Sequence, residues 1–291
     1  MPSDSSSDSN PLISRFLPSG FDPSQRLGLV AGRGIYPMLM ARNILRHRIP
    51  LSVYAIEGDA DRDWIHSLPG DIPKHWLNAG QLGKLLRSLK QDGCSSVVMA
   101  GQVSPGKLFR GLHPDFKALQ LLLRVKLKNA DSLFGAVAGE MEREQIKLLD
   151  ARAFMDDQLA SLGEMTGTRS SVPAETVQWA GNLARTLAGL DVGQSIVVSK
   201  GTIIAVEAYE GTDAMIERAG QIGAPSMVLV KAAKPGKDMR FDVPVFGERT
   251  LRKMQAAGIR AALLEADSTI MLNKESLLKQ AHAERIRIAG F

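Results

Sequence analysis

A single cysteine, Cys94, in 291 residues excludes an internal disulfide and any cysteine-built zinc site. Such usage fits a reducing compartment, and the chain is read as cytoplasmic. Aromatic residues make up only 5% of the sequence, which leaves little for the stacking platforms of single-stranded nucleic-acid binders. Charge of one sign is not concentrated either. The net charge is +5, of which +4 falls in residues 1–150 and +1 in the rest. Neither half is a polybasic module, so no nucleic-acid partner is expected. The surplus suits a local anionic ligand or an anionic membrane surface. His47, His66, His75, His113 and His282 are scattered with no pair at metal-ligand spacing. No apolar run approaches the roughly eighteen residues of a membrane span. Met1 to Asn10 is Ser- and Asp-rich without an apolar core, unlike a signal peptide, and residues 1–24 are expected to form a flexible leader.

What is present is an ordinary globular composition, 44% hydrophobic and 23% charged, at a length suited to two domains of about 150 residues. From Leu27, LGLVAGRGIYPMLMARNILRHR reads as a short strand, a glycine turn and a helix with Pro37 in its first turn, where no amide hydrogen is needed. Leu51 to Ile56 is a second strand, GQLGKLLRSLKQDG a helix stopped by Gly93, and SSVVMAG a third strand. Strands alternating with helices imply a parallel sheet covered by helices. Asp115 to about Leu162 has helical spacing without a convincing strand. The domain boundary is expected in or just before Gly163 to Ser171, giving an N-terminal Rossmann-like domain over 25–165 and a C-terminal domain over 172–291. The second unit opens with the helix PAETVQWAGNLARTLAGL. The strand pair QSIVVSK and TIIAVEA around Gly201 reads as a hairpin, which makes this sheet mixed.

Four groups of residues can carry chemistry. Gly32, Arg33 and Gly34, following the first strand, can turn backbone amides toward a phosphate, or simply make a tight strand-to-helix turn; neither a GxGxxG nor a P-loop pattern is completed. GQVSPGK, with Gly101, Gln102 and Lys107, lies where the SSVVMA strand ends, the edge at which open parallel sheets bind ligands. Arg110 and His113 follow close by. The two glycine loops are expected to converge there. In VEAYEGTDAM, Glu207, Glu210 and Asp213 are three carboxylates within seven residues, the hard oxygen ligands that Mg²⁺ or Mn²⁺ requires. Thr212 is a plausible helix cap. Glu207 and Glu210 stand three apart on an extended segment and so should face oppositely unless the chain turns at Ala208-Tyr209; Glu210, nearer the helix entrance, is the favoured partner of Asp213. VKAAKPGKDMRFDVP supplies Lys231, Lys234, Lys237 and Arg240 for phosphate oxygens, with Asp238 and Asp242 among them.

DVGQSIVV from Asp191, VEAYEGTDAMIERA, VKAAKPGKDMRFDVP, LVAGRGIYP and VVMAGQV together resemble the UDP-2,3-diacylglucosamine pyrophosphatases of the LpxI type, bacterial enzymes of lipid A synthesis. The likeness runs from about Leu27 to Gly290. It implies hydrolysis of UDP-2,3-diacylglucosamine to UMP and 2,3-diacylglucosamine 1-phosphate, with Mg²⁺ (Mn²⁺ possible) as cofactor and attack by activated water on the phosphorus of the glucosamine side. It also implies an α/β fold of two domains with the substrate cleft between them, a homodimer, and transient contact with the inner-membrane surface. Carried over by motif, Asp242, Asp213 and Lys231 are the catalytic residues. Asp213, Asp242, Glu210 and Glu207 are the metal candidates. Gly32, Arg33, Gly34, Gly101, Gln102, Gln194, Thr212, Lys234 and Arg240 are the substrate contacts. The GQV element continues SPGK where related sequences more often place a basic residue beside the proline, so Lys107 and Arg110 are not carried over. The amphipathic ALQLLLRVKLK segment suits either an anionic lipid surface or a buried helix. Apart from the resemblance, two rivals remain: a nucleotide-sugar or dinucleotide oxidoreductase, and a regulatory module whose glycine loops bind nucleotide while its carboxylates only cap helices.

Overall fold

A computed structural model describes residues 13–103, 114–124, 130–167, 172–236, 238–241 and 243–291. The first domain is a parallel sheet of order β3-β2-β1-β4-β5. Its strands are β1 (Arg26–Ala31), β2 (Leu51–Ile56), β3 (Lys74–Leu77), β4 (Cys94–Ala100) and β5 (Lys147–Leu148). The helices are α1 (Tyr36–Arg46), α2 (Arg62–Ser67), α3 (Leu82–Gln91), α4 (Phe116–Arg124) and α5 (Ala130–Arg143). Alternation along each strand sorts the two faces. Leu27, Leu29, Leu51 and Val53 pack with α1 through Leu39, Met40 and Ile44. Val30, Tyr54, Ile56 and Val97 pack with α3 through Leu85, Leu86 and Leu89. At Gly28, on the α3 side, a Cβ would come within 2.6 Å of Leu89 Cδ2, so the helix packs where a side chain would otherwise stand.

The second domain is a mixed sheet of order β6-β13-β11-β9-β7-β8. It comprises β6 (Gly163–Glu164), β7 (Ser195–Ser199), β8 (Thr202–Val206), β9 (Val228–Lys231), β11 (Ala261–Leu264) and β13 (Arg287–Gly290). β7 and β8 form the expected hairpin, antiparallel, with positive φ at Lys200 (45°) and Gly201 (77°). β9, β11 and β13 run parallel. A separate pair, β10 (Val245–Phe246) with β12 (Ile270–Met271), is also parallel. The helices are α6 (Ala174–Gly189), α7 (Thr212–Ile222), α8 (Glu248–Ala256) and α9 (Lys274–Ala283). α6 covers one face through Ala180 and Ala184; α7, α8 and α9 cover the other through Met215, Leu251 and Leu277.

The α/β class and the pairing of a parallel with a mixed sheet are as expected. Two local expectations are corrected. The helical run after Asp115 stops at Arg143, and Lys147-Leu148 joins the sheet edge beside β4. Part of the supposed flexible leader is docked: Ile13, Phe16, Leu17 and Phe21 pack against the first core, and Arg15 reaches both Asp156 and Asp267. Those four apolar side chains supply burial that a Ser/Asp composition averages away. Residues 1–12 lie outside the described residues. The domains also share a core: Ile270 lies in the first-domain cluster, with Val243, Val245 and Leu272 packed on it.

Candidate active site

At the first-domain edge the two glycine loops do converge. The Gly32 amide donates to the Ala100 carbonyl at 2.9 Å, and Arg33 and Gln102 exchange backbone hydrogen bonds at 2.7 and 3.1 Å. A Cβ on Gly32 would lie 2.5 Å from the Gln102 oxygen, and one on Gly101 (φ +88°) 2.7 Å from the Arg33 oxygen. Glycine is therefore required for two backbones to meet. The amides of Gly32 and Arg33 are bonded within the loops instead of being presented to a phosphate. Gly34 (φ +95°) has open space where a Cβ would be. The Arg33 guanidinium, half exposed, donates to the fully buried Asp59 carboxylate at 2.6 Å. Lys107, Arg110 and His113 lie outside the described residues.

In the second domain strand register assembles a tighter cluster. Ser195 pairs with Lys231 across β7 and β9, and Glu207, just beyond β8, donates its amide to the Ser195 carbonyl at 2.9 Å. A Cβ on Gly193 would fall 2.1 Å from the Glu207 carbonyl oxygen, so this approach also needs glycine. Lys231 is buried, and its Nζ donates to Ser195 Oγ at 3.0 Å and Thr212 Oγ1 at 3.3 Å. The Thr212 hydroxyl in turn donates to Glu207 Oε1 at 2.8 Å. Burial pushes the Lys231 amine below the ordinary lysine value, and the negative charges of Glu207 and Asp213 oppose that shift.

Thr212 is not the helix cap. Gly211, at φ +82°, holds that position, which releases the threonine hydroxyl for Lys231 and Glu207. The chain does turn after Glu207, the Gly211 amide reaching the Ala208 carbonyl at 3.2 Å. The turn sends Glu210 outward to Arg218 at 2.6 Å. Its own backbone amide and then Arg218 hold the Glu210 carboxyl below the usual range. Glu207, not the favoured Glu210, is the glutamate that joins Asp213 beside Lys231. Asp213 also pairs with the exposed guanidinium of Arg249.

The loop after β9 connects the domains. Lys234 pairs with Asp191 at 3.2 Å. Arg240 is bound to Asp238 at 2.6 Å and to Glu142 of α5 at 2.8 Å, and those carboxylates, Asp238 foremost, raise its pKa. Its guanidinium thus makes a contact between the domains. The Ala151 amide donates to the Met239 carbonyl at 2.8 Å, and the Phe241 ring stacks on Phe134 of α5 at 5.3 Å. Lys237 and Asp242 lie outside the described residues. Gln194 accepts the Ala232 amide on its carbonyl at 2.9 Å.

Among the described residues no three metal-ligating side chains come together. The donor chemistry still fits Mg²⁺, which takes one or two carboxylates and completes its shell with substrate phosphates and water. Glu207 Oε2 is a buried carboxylate oxygen with no hydrogen-bond partner, and Asp213 stands nearby.

A family model described as the LpxI N-terminal domain matches residues 26–158, and one described as the LpxI C-terminal domain matches residues 162–289. The chain belongs to the LpxI family. A curated relative from Caulobacter vibrioides, UDP-2,3-diacylglucosamine pyrophosphatase LpxI, is 31% identical over 270 residues, covering 88% of this chain and 94% of that protein. Among solved structures, UDP-glucose 4-epimerase of Thermus thermophilus in complex with NAD aligns over 91% of this chain and 85% of its own at 13% identity. Its TM-score of 0.31 is too low to bear on function.

Three participants escaped sequence reasoning in this LpxI-family chain. Ser195 is an unremarked serine in an apolar run, and only its cross-strand position opposite Lys231 marks it. Asp59 becomes notable through its burial under Arg33. Glu265, at the end of β11, accepts the Ala233 amide at 2.7 Å and Arg185 at 2.6 Å, fixing the start of the loop after Lys231. The signal available for it was a carboxylate closing the apolar run AALLEA.

Proposed function

We propose that the chain hydrolyses the diphosphate of UDP-2,3-diacylglucosamine to UMP and 2,3-diacylglucosamine 1-phosphate, a step of lipid A biosynthesis. The observation that carries this reading is the buried Lys231 ammonium held between Glu207 and Asp213, in a chain aligned along nearly all of a relative bearing that activity's name. A diphosphate gains charge on its non-bridging oxygens as the anhydride bond breaks, so a fixed cation in a poorly solvated site stabilises the transition state more than the ground state. Two protons of the ammonium go to Ser195 and Thr212, and the third would serve a phosphate oxygen. Glu207, through Thr212, keeps the amine charged and oriented.

Glu207 and Asp213, with Asp242 from the RFD element, would hold Mg²⁺ or Mn²⁺. When bound, the cation neutralises phosphate charge and acidifies a water. In the hydrolysis a water oxygen would bond to the phosphorus on the glucosamine side, the bridging oxygen would depart with UMP, and the water's proton would pass to solvent or a neighbouring carboxylate. Lys234, paired with the half-exposed Asp191, can exchange that partner for a phosphate. A diacylated substrate resides in a bilayer, so the reading includes transient contact with a membrane surface, and it includes a homodimer. Among the described residues no helix is long and apolar enough to cross a membrane.

The test is incubation of the pure protein with UDP-diacylglucosamine, with added Mg²⁺ or Mn²⁺ and with chelator, following UMP. Release of UMP that chelator abolishes supports the cation-dependent hydrolysis. Release unaffected by chelator removes the cation, and no release with either cation overturns the activity. Asp242→Ala is expected to abolish turnover in a folded protein, and retention of half the wild-type rate would remove Asp242 from the mechanism.

A further inference from the structure

The first domain contains a cavity of about 120 Å³ lined almost wholly by apolar side chains. Its floor is Val30, Ile56, Leu77 and Met99, at or one residue short of the carboxyl ends of β1 to β4. Leu85, Leu121 and Val137 close it from α3, α4 and α5. In a sheet of this order the crevice at the carboxyl edge, where the connections from β1 and β4 diverge, is the usual ligand position. A nucleotide there needs amides and polar groups. Here the Gly32 and Arg33 amides are bonded to Ala100 and Gln102, and the space beneath is hydrocarbon. A pocket with so little polar lining offers water few partners and suits an apolar guest.

The cavity also has a definite position relative to the candidate site. Val103, directly after Gln102, lines one part of it, and Phe134 lines another. Phe134 is the ring that stacks on Phe241 of the second-domain loop, one residue before Asp242. The cavity thus reaches the second glycine loop through Val103, and its Phe134 wall carries the ring on which the second-domain loop stacks. Outward, α4 exposes Phe116 (75%), Leu119 (45%) and Leu123 (78%) at helical spacing, while its Ala118 and Leu121 line the cavity. Apolar surface thus continues from the interior to the outside of one helix, a path suited to an elongated flexible guest.

We infer that this cavity receives the end of one acyl chain of the lipid substrate, the rest of the chain running out along α4. The inference rests on the proposed reading for the identity of the lipid. Its test is arranged so that either can fail alone. Binding of cis-parinaric acid, a fluorescent fatty acid, to the full-length protein is measured for wild type, Val137→Phe and Ala118→Leu, with circular dichroism as the check of folding. Ala79→Phe, in the loop after β3 and also lining the cavity, replaces either variant that does not fold. Saturable binding to wild type, weakened at least tenfold in the filled variants, is expected. In parallel, shortening the acyl chains of UDP-diacylglucosamine should cost wild type about fourfold in kcat/KM per methylene withdrawn from the cavity, and the filled variants little. Binding to filled variants equal to wild type, or no binding to wild type, overturns the cavity's assignment. Fatty-acid binding without UMP release leaves the chain site standing and overturns the pyrophosphatase reading.

Discussion

Replacing Lys231 with Met keeps the length of the side chain and removes its charge. In the folded protein that charge is buried, donates to Ser195 and Thr212, and lies between Glu207 and Asp213. Breaking a fully buried ion pair costs about 3–5 kcal/mol, because the remaining charge is stranded. The stranding is partial here. Glu207 retains the Thr212 hydroxyl, while Asp213 retains Arg249 and is 24% exposed; the amine's own desolvation cost also disappears. We expect a stability loss of roughly 1–2 kcal/mol, read from the urea midpoint. Turnover should fall by about 10²–10³, or roughly 2.7–4 kcal/mol, the scale of losing one fixed donor to developing oxyanion charge. Adding Glu207→Gln should recover most of the stability and none of the rate, which separates charge balance from catalysis. The wild-type pH profile supplies a second check. Burial lowers the amine's pKa, so between that value and about 10.4 the unfolded chain binds more protons than the folded one, and stability rises with pH through that window. Over the same window turnover should fall as the ammonium is lost. A folded Lys231→Met protein within threefold of wild-type turnover, or a wild-type rate flat to about pH 10.5, past the ordinary lysine value, would refute the reasoning.

Gly101→Ala puts a methyl 2.7 Å from the Arg33 carbonyl at φ +88°, and should destabilise by more than the roughly 1–3 kcal/mol of backbone strain alone; an unchanged Tm would show that the loops can separate freely. Activity titrated against Mg²⁺ should require much more cation for Glu207→Gln and be unaltered for Glu210→Gln, since only Glu207 faces Lys231; identical wild-type curves for both would leave the cation to Asp213, Asp242 and phosphate oxygens. Lys117 first, then Lys90, pull the Glu144 carboxyl down to about 2. A lowered acid stabilises above its unfolded value of about 4.3 and loses that contribution as pH falls through about 2. Glu144→Gln should therefore have a lower urea midpoint than wild type at pH 7, with the gap shrinking as pH falls toward and through about 2; a gap that does not shrink would mean the ion pairs are not its cause.

Much of the architecture was readable because it is written in local period. β1, β2 and β4 are mostly apolar runs, α3 repeats its leucines at helical spacing before Gly93, and Lys200-Gly201 between two β-branched runs announces the hairpin. Strands of two residues, such as β5, β6 and β12, carry too few side chains to show a period, and exist only because a neighbour offers a ladder. The docked residues Ile13 to Phe21 were hidden for a related reason: their apolar side chains are spaced without period and find a use only when the first core is already built.

At the candidate site the division follows range of interaction. The chain's own order placed Glu207, Glu210 and Asp213 at a strand-to-helix junction, and put Lys231 at the end of an apolar strand. Which of them share a charge environment depended on pairings between residues far apart in the chain. Ser195 meets Lys231 through an antiparallel register 36 residues apart, and one turn at Gly211 rotates Glu210 onto Arg218 while leaving Glu207 inside. Arg240 keeps its sequence neighbour Asp238 as a partner but also meets Glu142, 98 residues away. Residue type sets what a side chain can do, and sequence period sets which local element carries it. The electrostatic partner that decides its role is chosen by tertiary packing, because hydrogen bonds need contact distance, Coulomb energies weaken with separation and screening, and only folding brings those atoms close.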